Sequence, residues 1–412
     1  MSTLITIKSN FSIQSINLFI LHCYSAIFII FRTIIVRFNY ICQNYYMERL
    51  FEYANKLLKR TNTNFVRYLF DQINWDNQLI GIVGPRGVGK TTLVLQYIKM
   101  QLPEQESLYV TTEDFYFTEN RLVDLADEFV KYGGKYLFID EIHKYPNWSR
   151  ELKLIYDYHR KLKIVFTGSS LLDIKQGSAD LSRRSVMYYM KGMSFREYLA
   201  LFHQIEVPVY SLDQILEHKV DITNITHPLP LFSKYLQEGY YPFSMEADHE
   251  IKLKQIIDQT LEVDIPFYAN MNVSTGRKLK HLLSIISQSV PFKPNMTKIA
   301  EMLNASRNNI SDYLLYLEEA GIIAQLREDT KGIRNLGKVN KVYLDNTNLI
   351  YILADKEPNK GNVRETFFYN QMSINKYVSI SRSADFKVDD THFEIGGRNK
   401  DRKQLQGVQK GF

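Results

Sequence analysis

The chain has 412 residues, 45% of them apolar and 13% aromatic, enough for two or three packed domains and too apolar for a disordered protein. A formal charge of +6 is only mildly basic and is no evidence for a nucleic-acid surface. The two cysteines, Cys23 and Cys42, exclude a disulfide framework and a four-thiolate zinc site, which leaves a reducing cytoplasm as the simplest compartment.

Residues 1–46 stand apart as an apolar extension with no acidic residue before Glu48. The stretch Ile16–Phe31, followed by Arg32 and Arg37, reads as a membrane anchor at the short end of the ~20 residues a span needs. The alternative is that translation begins at Met47, where Leu50, Phe51, Ala54, Leu57 and Leu58 fall at helical spacing.

Beyond this, short apolar runs alternate with amphipathic stretches over 47–202. Strands are predicted at Leu79–Val83, Leu108–Val110, Tyr136–Ile139, Lys163–Thr167 and Val186–Met190. Helices are predicted over Thr91–Met100, Leu122–Tyr132, Arg150–Arg160 and Phe195–Leu201. Alternation of this kind implies an α/β fold with a parallel sheet, and continuous apolar runs fit a sheet with helices on both faces. Residues 203–276 read as a linker or lid of short helices and turns. Helical stretches follow at Lys278–Gln288, Met296–Leu303 and Arg307–Ala320, then strand-like sequence up to Leu353, and a short α/β tail.

The run Gly84-Pro85-Arg86-Gly87-Val88-Gly89-Lys90-Thr91-Thr92 follows a predicted strand and opens a helix. In that setting glycines let successive backbone N–H groups wrap a phosphate, and the helix N-terminus adds partial positive charge. Lys90 is placed to reach the β/γ-phosphate oxygens, and the Thr91 hydroxyl to ligate Mg²⁺. The strand Tyr136–Ile139 ends in Asp140 and Glu141, which puts both carboxylates at the carboxyl edge of the sheet. Asp140 is expected to hold Mg²⁺ through water and Glu141 to orient or deprotonate the attacking water. A further strand ends in Thr167-Gly168-Ser169-Ser170. If it lies between the other two, Ser169 or Thr167 is a γ-phosphate sensor, besides the capping role open to any such residue. Arg183 and Arg184 precede the fifth strand and are candidates for a charge-stabilising finger, in cis or from a neighbouring subunit. His143 has no evident partner and is expected to be structural.

In this order, Gly-Pro-Arg-Gly-Val-Gly-Lys-Thr, Tyr-Leu-Phe-Ile-Asp-Glu-Ile-His, Val-Phe-Thr-Gly-Ser-Ser, Ser-Arg-Arg and Met-Ser-Phe-Arg-Glu-Tyr-Leu resemble a prokaryotic family of AAA+-type ATPases. That family carries a winged helix and a restriction-endonuclease-like domain of unknown function after its ATPase core. The resemblance runs from about Met47 to about Lys403. It implies an additional-strand P-loop core with ATP as ligand, and places Lys90, Thr91, Asp140 and Glu141 on the family's Walker positions. Ser169 falls on its sensor, and Arg183 or Arg184 on its finger.

The remainder is less explicit. Residues 277–353 suit a winged helix, with Ser306 capping a recognition helix whose Arg307, Asn308 and Asn309 would face DNA, although Asp312, Glu318 and Glu319 would repel phosphates. In 354–412 Glu365, Asp385 and Glu394 resemble the acids of a nuclease core, with Gly396 where a lysine is expected and Lys400 among the nearest basic residues. The chain ends at Phe412, before such a sheet would close, so a degenerate or truncated module is expected rather than a nuclease. The expected function is an ATPase that repositions its C-terminal modules on a partner, a protein or DNA. The rivals are a slow ATP-dependent signalling or defence switch and an ATP-controlled nuclease. Whether it forms an oligomer is left open.

Overall fold

A computed structural model of the protein describes residues 46–168, 181, 183–269, 271–288, 290–328, 338–396 and 410–412. The chain divides into two compact units, Met1–Leu57 and Leu58–Phe412. The described part of the first is helical from residue 46, with Met47, Leu50 and Ala54 buried along one face. Among the described residues no helix is long and apolar enough to cross a membrane.

In the second unit the apolar runs become strands of one parallel sheet: β1 (Leu79–Val83), β2 (Ser107–Thr111), β3 (Tyr136–Asp140), β4 (Lys163–Gly168) and β5 (Val186–Tyr189). Their order is β2-β3-β4-β1-β5. Pairing is in parallel throughout, with Ile80 opposite Val165 and Ile139 opposite Phe166. Strand β4 therefore lies between the strand that feeds the Gly-rich loop and the strand that ends in Asp140, as the sensor reading required. Leu79, Ile80, Ile82, Ile164 and Phe166 are fully buried, because crossover helices at Lys90–Gln101, Leu122–Lys131 and Trp148–Tyr158 cover such a sheet.

Ser194 and Glu197 form a reciprocal capping box that starts the helix Phe195–His203. Its aromatic face joins the helix Pro228–Glu238 and, through Phe367, the helix Lys360–Met372: Phe232 meets Phe195 at 5.1 Å and Phe367 at 5.0 Å, both edge to face. The helix His249–Gln259 continues into a π-helical stretch, Thr260–Asp264, and a short helix, Ile265–Tyr268.

Three helices follow, Val273–Ser287, Met296–Met302 and Arg307–Glu319, the last capped by Ser306 as expected. An antiparallel hairpin of β6 (Ile323–Arg327) and β7 (Val339–Leu344) comes next. The strand-like reading up to Leu353 fails at Asn346, whose side chain accepts from Leu349 N and starts the helix Thr347–Leu353. The tail adds a small antiparallel sheet, β8 (Val378–Ile380), β9 (Phe386–Val388) and β10 (Thr391–Phe393).

Phe166, on the central strand, packs against Trp148 at a ring separation of 5.7 Å. Phe166→Ala should destabilise the sheet by about 3–5 kcal/mol, read as a lower urea midpoint in the tryptophan fluorescence transition. An unchanged midpoint would show that this ring does not anchor the central strands.

Candidate functional site

The loop between β1 and the helix Lys90–Gln101 bends through Gly87 (φ 79°) and Gly89 (φ 99°), both in the left-handed region, where a side chain is disfavoured and backbone N–H groups turn inward. Lys90 is almost completely buried beneath the loop, and its Nζ donates to Gly84 O at 2.9 Å and Pro85 O at 2.8 Å. Burial lowers the Lys90 pKa to about 8 despite the attraction of Glu141 and Asp140.

Asp140, at the end of β3, is buried and carries three hydroxyl donors. Thr91 Oγ1 and Tyr109 OH donate to its Oδ2 at 2.8 and 2.7 Å, and Thr167 Oγ1 donates to Oδ1. Hydroxyls from the loop helix, β2 and β4 thus compensate one buried carboxylate. The next residue, Glu141, adopts a left-handed backbone (φ 52°), uncommon for a residue with a side chain and a form of local strain found at functional sites. Two hydroxyls fix this turn: Glu141 N donates to Thr167 Oγ1, and Thr112 Oγ1 donates to Glu141 O at 2.6 Å. His143 Nε2 lies 3.5 Å from Glu141 Oε2. Burial first, then the charges of Arg86, Lys144 and Lys90, lower the His143 pKa to about 3, so the ring is neutral.

A buried ion pair frames the loop from behind. Arg67 Nε donates to Glu197 Oε1 at 2.8 Å, while its other nitrogens donate to the carbonyls of Val88, Lys191 and Gly192. One guanidinium thus ties the loop to the segment after β5 and to the capping box of the following helix. In front, residues that follow the sheet close on the loop. A Cβ on Gly87 would lie 2.6 Å from the Phe243 ring and 3.2 Å from Ile256, and one on Gly321 would lie 2.6 Å from Pro85 Cγ. Arg86 leaves the loop to form a bidentate pair with Asp264. A cavity of about 480 Å³ is lined by Arg86, Lys90, Thr91, Glu141, Phe243 and Ile256. Another, of about 450 Å³, opens on the far side of Gly89 between Asn62, Phe65, Thr92, Gln96, Leu201 and Gln204.

The loop residues, Asp140, Glu141 and Thr167 therefore converge. Ser169 and Lys400 lie outside the described residues. Arg183 and Arg184 precede the first residue of β5, at the sheet edge opposite the loop, with about 10 Å of strand intervening. Arg184 donates to both oxygens of Asp157, at 3.0 and 3.1 Å. A contact in cis with phosphates on the loop does not fit this placement. Glu365 and Asp385 approach each other, but around Lys341, whose Nζ lies 3.2 Å from Glu365 and 3.5 Å from Asp385. Glu394 follows β10, where its N–H donates to Phe412 O. Among the described residues no group of three or more His, Cys, Asp or Glu is placed to hold a metal ion. Glu318, counted against a DNA surface in the sequence, is held by Arg327 and Gln325. Arg67, Tyr109, Thr112, Phe243 and Asp264 belong to the site but carry no spacing signal. Only Glu197 had one, as the fourth residue of Ser-x-x-Glu.

Residues 76–199 match the model of an AAA domain, and residues 229–360 match a domain of unknown function, DUF8612. The chain is 25% identical over 295 residues to an uncharacterised protein of Methanocaldococcus jannaschii, covering 66% of this chain but 62% of that one, less than two thirds of its length. A second uncharacterised protein of the same organism is 23% identical over 352 residues, covering 80% of this chain and 74% of its own. Among solved structures, a Walker-type ATPase of Pyrococcus abyssi aligns with 71% of this chain and 98% of its own at 13% identity and a TM-score of 0.44. DnaA of Aquifex aeolicus bound to AMPPCP aligns with 65% and 86% at 13% identity and a TM-score of 0.22. Residues 76–199 are thus similar to an AAA domain, a likeness that supports nucleotide binding and ATP hydrolysis.

Proposed function

We propose that the chain is a Mg²⁺-dependent ATPase whose nucleotide state repositions the region that follows the sheet. The observation that carries the reading is the joining of two motifs 49 residues apart: Thr91 Oγ1 donates to Asp140 Oδ2 at 2.8 Å, beside the buried Lys90. A hydroxyl and a carboxylate in contact at a loop that cradles phosphate are the oxygen donors that Mg²⁺ takes while keeping several waters, so these residues suit that ion. Bound there, Mg²⁺ would neutralise charge on the phosphate oxygens.

The chain's own groups would do the rest. Backbone N–H groups of Gly84–Thr92, Pro85 apart, bind and orient the phosphates. Lys90, now engaged with two carbonyls of its own loop, transfers its donors to the phosphate oxygens. Glu141, which lines the same cavity, orients the attacking water and takes its proton. Thr167 holds that turn, and Thr167 or Ser169 senses the terminal phosphate. The cavity beside Thr92 and Gln96 suits the nucleoside. Arg183 or Arg184 would act only on a nucleotide in a neighbouring subunit, which makes an oligomer part of this reading.

For the C-terminal half, the succession of three helices and a hairpin supports a winged-helix-like module. The exposed Arg307, Asn308 and Asn309 at the start of its third helix are the groups that would meet DNA, and the alternative partner is a protein. In the tail the ammonium of Lys341 stands where a nuclease would need a cation between Glu365 and Asp385, which supports a structural or binding module.

Lys90 supplies one test. Its folded-state pKa of about 8 lies below the ordinary 10.5, so between those values the unfolded chain holds a proton that the folded chain has lost. The nucleotide-free protein should therefore gain stability as pH rises through that window. Lys90→Met should lack this gain in melting curves between pH 7 and 10 and should bind no ATP in calorimetry. Parallel pH profiles for the two proteins would refute the buried-lysine account. Glu141→Gln should retain ATP but hydrolyse it about 10²-fold more slowly or worse in steady-state phosphate release, with or without duplex DNA. Equal turnover in that variant would remove Glu141 as the base, and absent turnover in the wild type under both conditions would favour a switch that binds without cycling.

A further inference from the structure

Arg86 falls on one of the four unspecified positions of Gly-x-x-x-x-Gly-Lys-Thr, yet its side chain turns away from the loop. Nε donates to Asp264 Oδ2 at 2.8 Å and Nη2 to Oδ1 at 3.1 Å, and both side chains are mostly buried, 21% exposed for Arg86 and 12% for Asp264. A guanidinium held in this planar, two-bond fashion meets phosphate oxygens with the same fork geometry, so a carboxylate and a phosphate are interchangeable partners for it. Arg86 lines the cavity that also holds Lys90, Thr91 and Glu141, and it feels the charges of Glu141 and Glu113 across that space.

Asp264 is no ordinary surface acid. It is the last residue of the π-helical stretch Thr260–Asp264, a rare geometry found frequently at functional sites. The helix leading into it carries Ile256, whose Cδ1 lies within 3.2 Å of the place a Cβ on Gly87 would occupy. One helical segment thus touches the loop with an apolar side chain and grips it with a carboxylate, with the π-helical turn between.

We propose that the Asp264 carboxylate and the terminal phosphate of a bound nucleoside triphosphate compete for the Arg86 guanidinium, so that filling the loop frees the segment His249–Tyr268 from it. The proposal rests on the ATP reading above and adds to it the joint through which occupancy leaves the sheet. Asp264 is a positioning residue here, acting through Arg86, and a diphosphate lacks the group that would displace it.

The test uses the full chain with a non-hydrolysable ATP analogue and with ADP, each titrated by calorimetry. Asp264→Asn keeps the shape and one acceptor but removes the competing charge. Affinity for the triphosphate analogue should rise roughly fivefold or more, equivalent to about 1 kcal/mol, with affinity for ADP unchanged. An equal gain for both nucleotides, no gain, or a loss would overturn the competition. In the wild type, hydrogen exchange of backbone amides in 249–268 should quicken with the triphosphate analogue and not with ADP. That measurement stands even if the variant fails to fold, and identical exchange with both nucleotides would overturn the proposal. Wild-type protein that binds neither nucleotide would instead sink the ATP reading on which the proposal rests.

Discussion

A single buried carboxylate organises the carboxyl edge of the sheet. Asp140 is 5% exposed, and an ionised group so placed is tolerated only when donors replace the water it has lost. Its donors are the hydroxyls of Thr91, Tyr109 and Thr167, one from the loop helix and one from each strand flanking β3. The strand order is what makes this possible: with β4 inserted beside β3, Thr167 reaches Asp140 and also accepts from Glu141 N. The adjacent left-handed turn that aims Glu141 is held by the same hydroxyl, so the two acids are positioned together. An incoming cation and phosphate would meet oxygens already gathered, in the manner of preorganised sites.

The loop itself is fixed from the opposite side by charge. The Arg67–Glu197 pair is 5% exposed at both side chains, and such a pair adds little net stability over apolar residues of similar size. Its value here is geometric. Five donors in a rigid fork let Arg67 bond to Val88 O, Lys191 O and Gly192 O as well as Glu197, and Glu197 also closes the capping box on Ser194. Losing the arginine would take the countercharge from a buried carboxylate and a donor from three carbonyls at once.

What the sequence disclosed follows from the range of the interactions. Parallel strands buried on both faces leave continuous apolar runs, so Leu79–Val83 and Tyr136–Ile139 were legible from those runs, as was a loop whose glycines must turn where side chains cannot. Thr347–Leu353 misled because Leu349-Ile350-Tyr351-Ile352 has strand propensity, and tertiary burial together with the Asn346 cap prevails over it. The partners of the site were hidden for a different reason. Arg67 and Glu197 are 130 residues apart and Arg86 and Asp264 178 apart, and no local spacing encodes contacts that exist only once the strand order is set. The arginines before β5 show the converse: their sequence position suggested a role that the parallel direction of the sheet moves to the far edge, beyond the reach of their own loop.

The C-terminal half is joined to the loop by contiguous packing. Gly321 abuts Pro85 and leads directly into β6. Strand β6 pairs with β7, and β7 presents Lys341 and Tyr343 to Glu365 and Asp385 of the tail. In that cluster an ammonium fills the niche two carboxylates create, binding the tail to the hairpin as a cation would have bound it to a substrate. Contiguity alone does not make a transmission path, because packed side chains move together only where some element has two discrete arrangements that both ends can bias. The carboxylate–guanidinium pair at Asp264 and Arg86 would meet that requirement under the proposed competition: one partner belongs to the loop, the other to a helix with a π-helical turn, and a phosphate would offer the guanidinium an equivalent acceptor. The aromatic cluster of Phe195, Phe232 and Phe367, half-buried rings packed edge to face at about 5 Å, has no charged or polar partner to exchange. On the proposed competition, it is the Arg86–Asp264 pair that lets go when the loop fills.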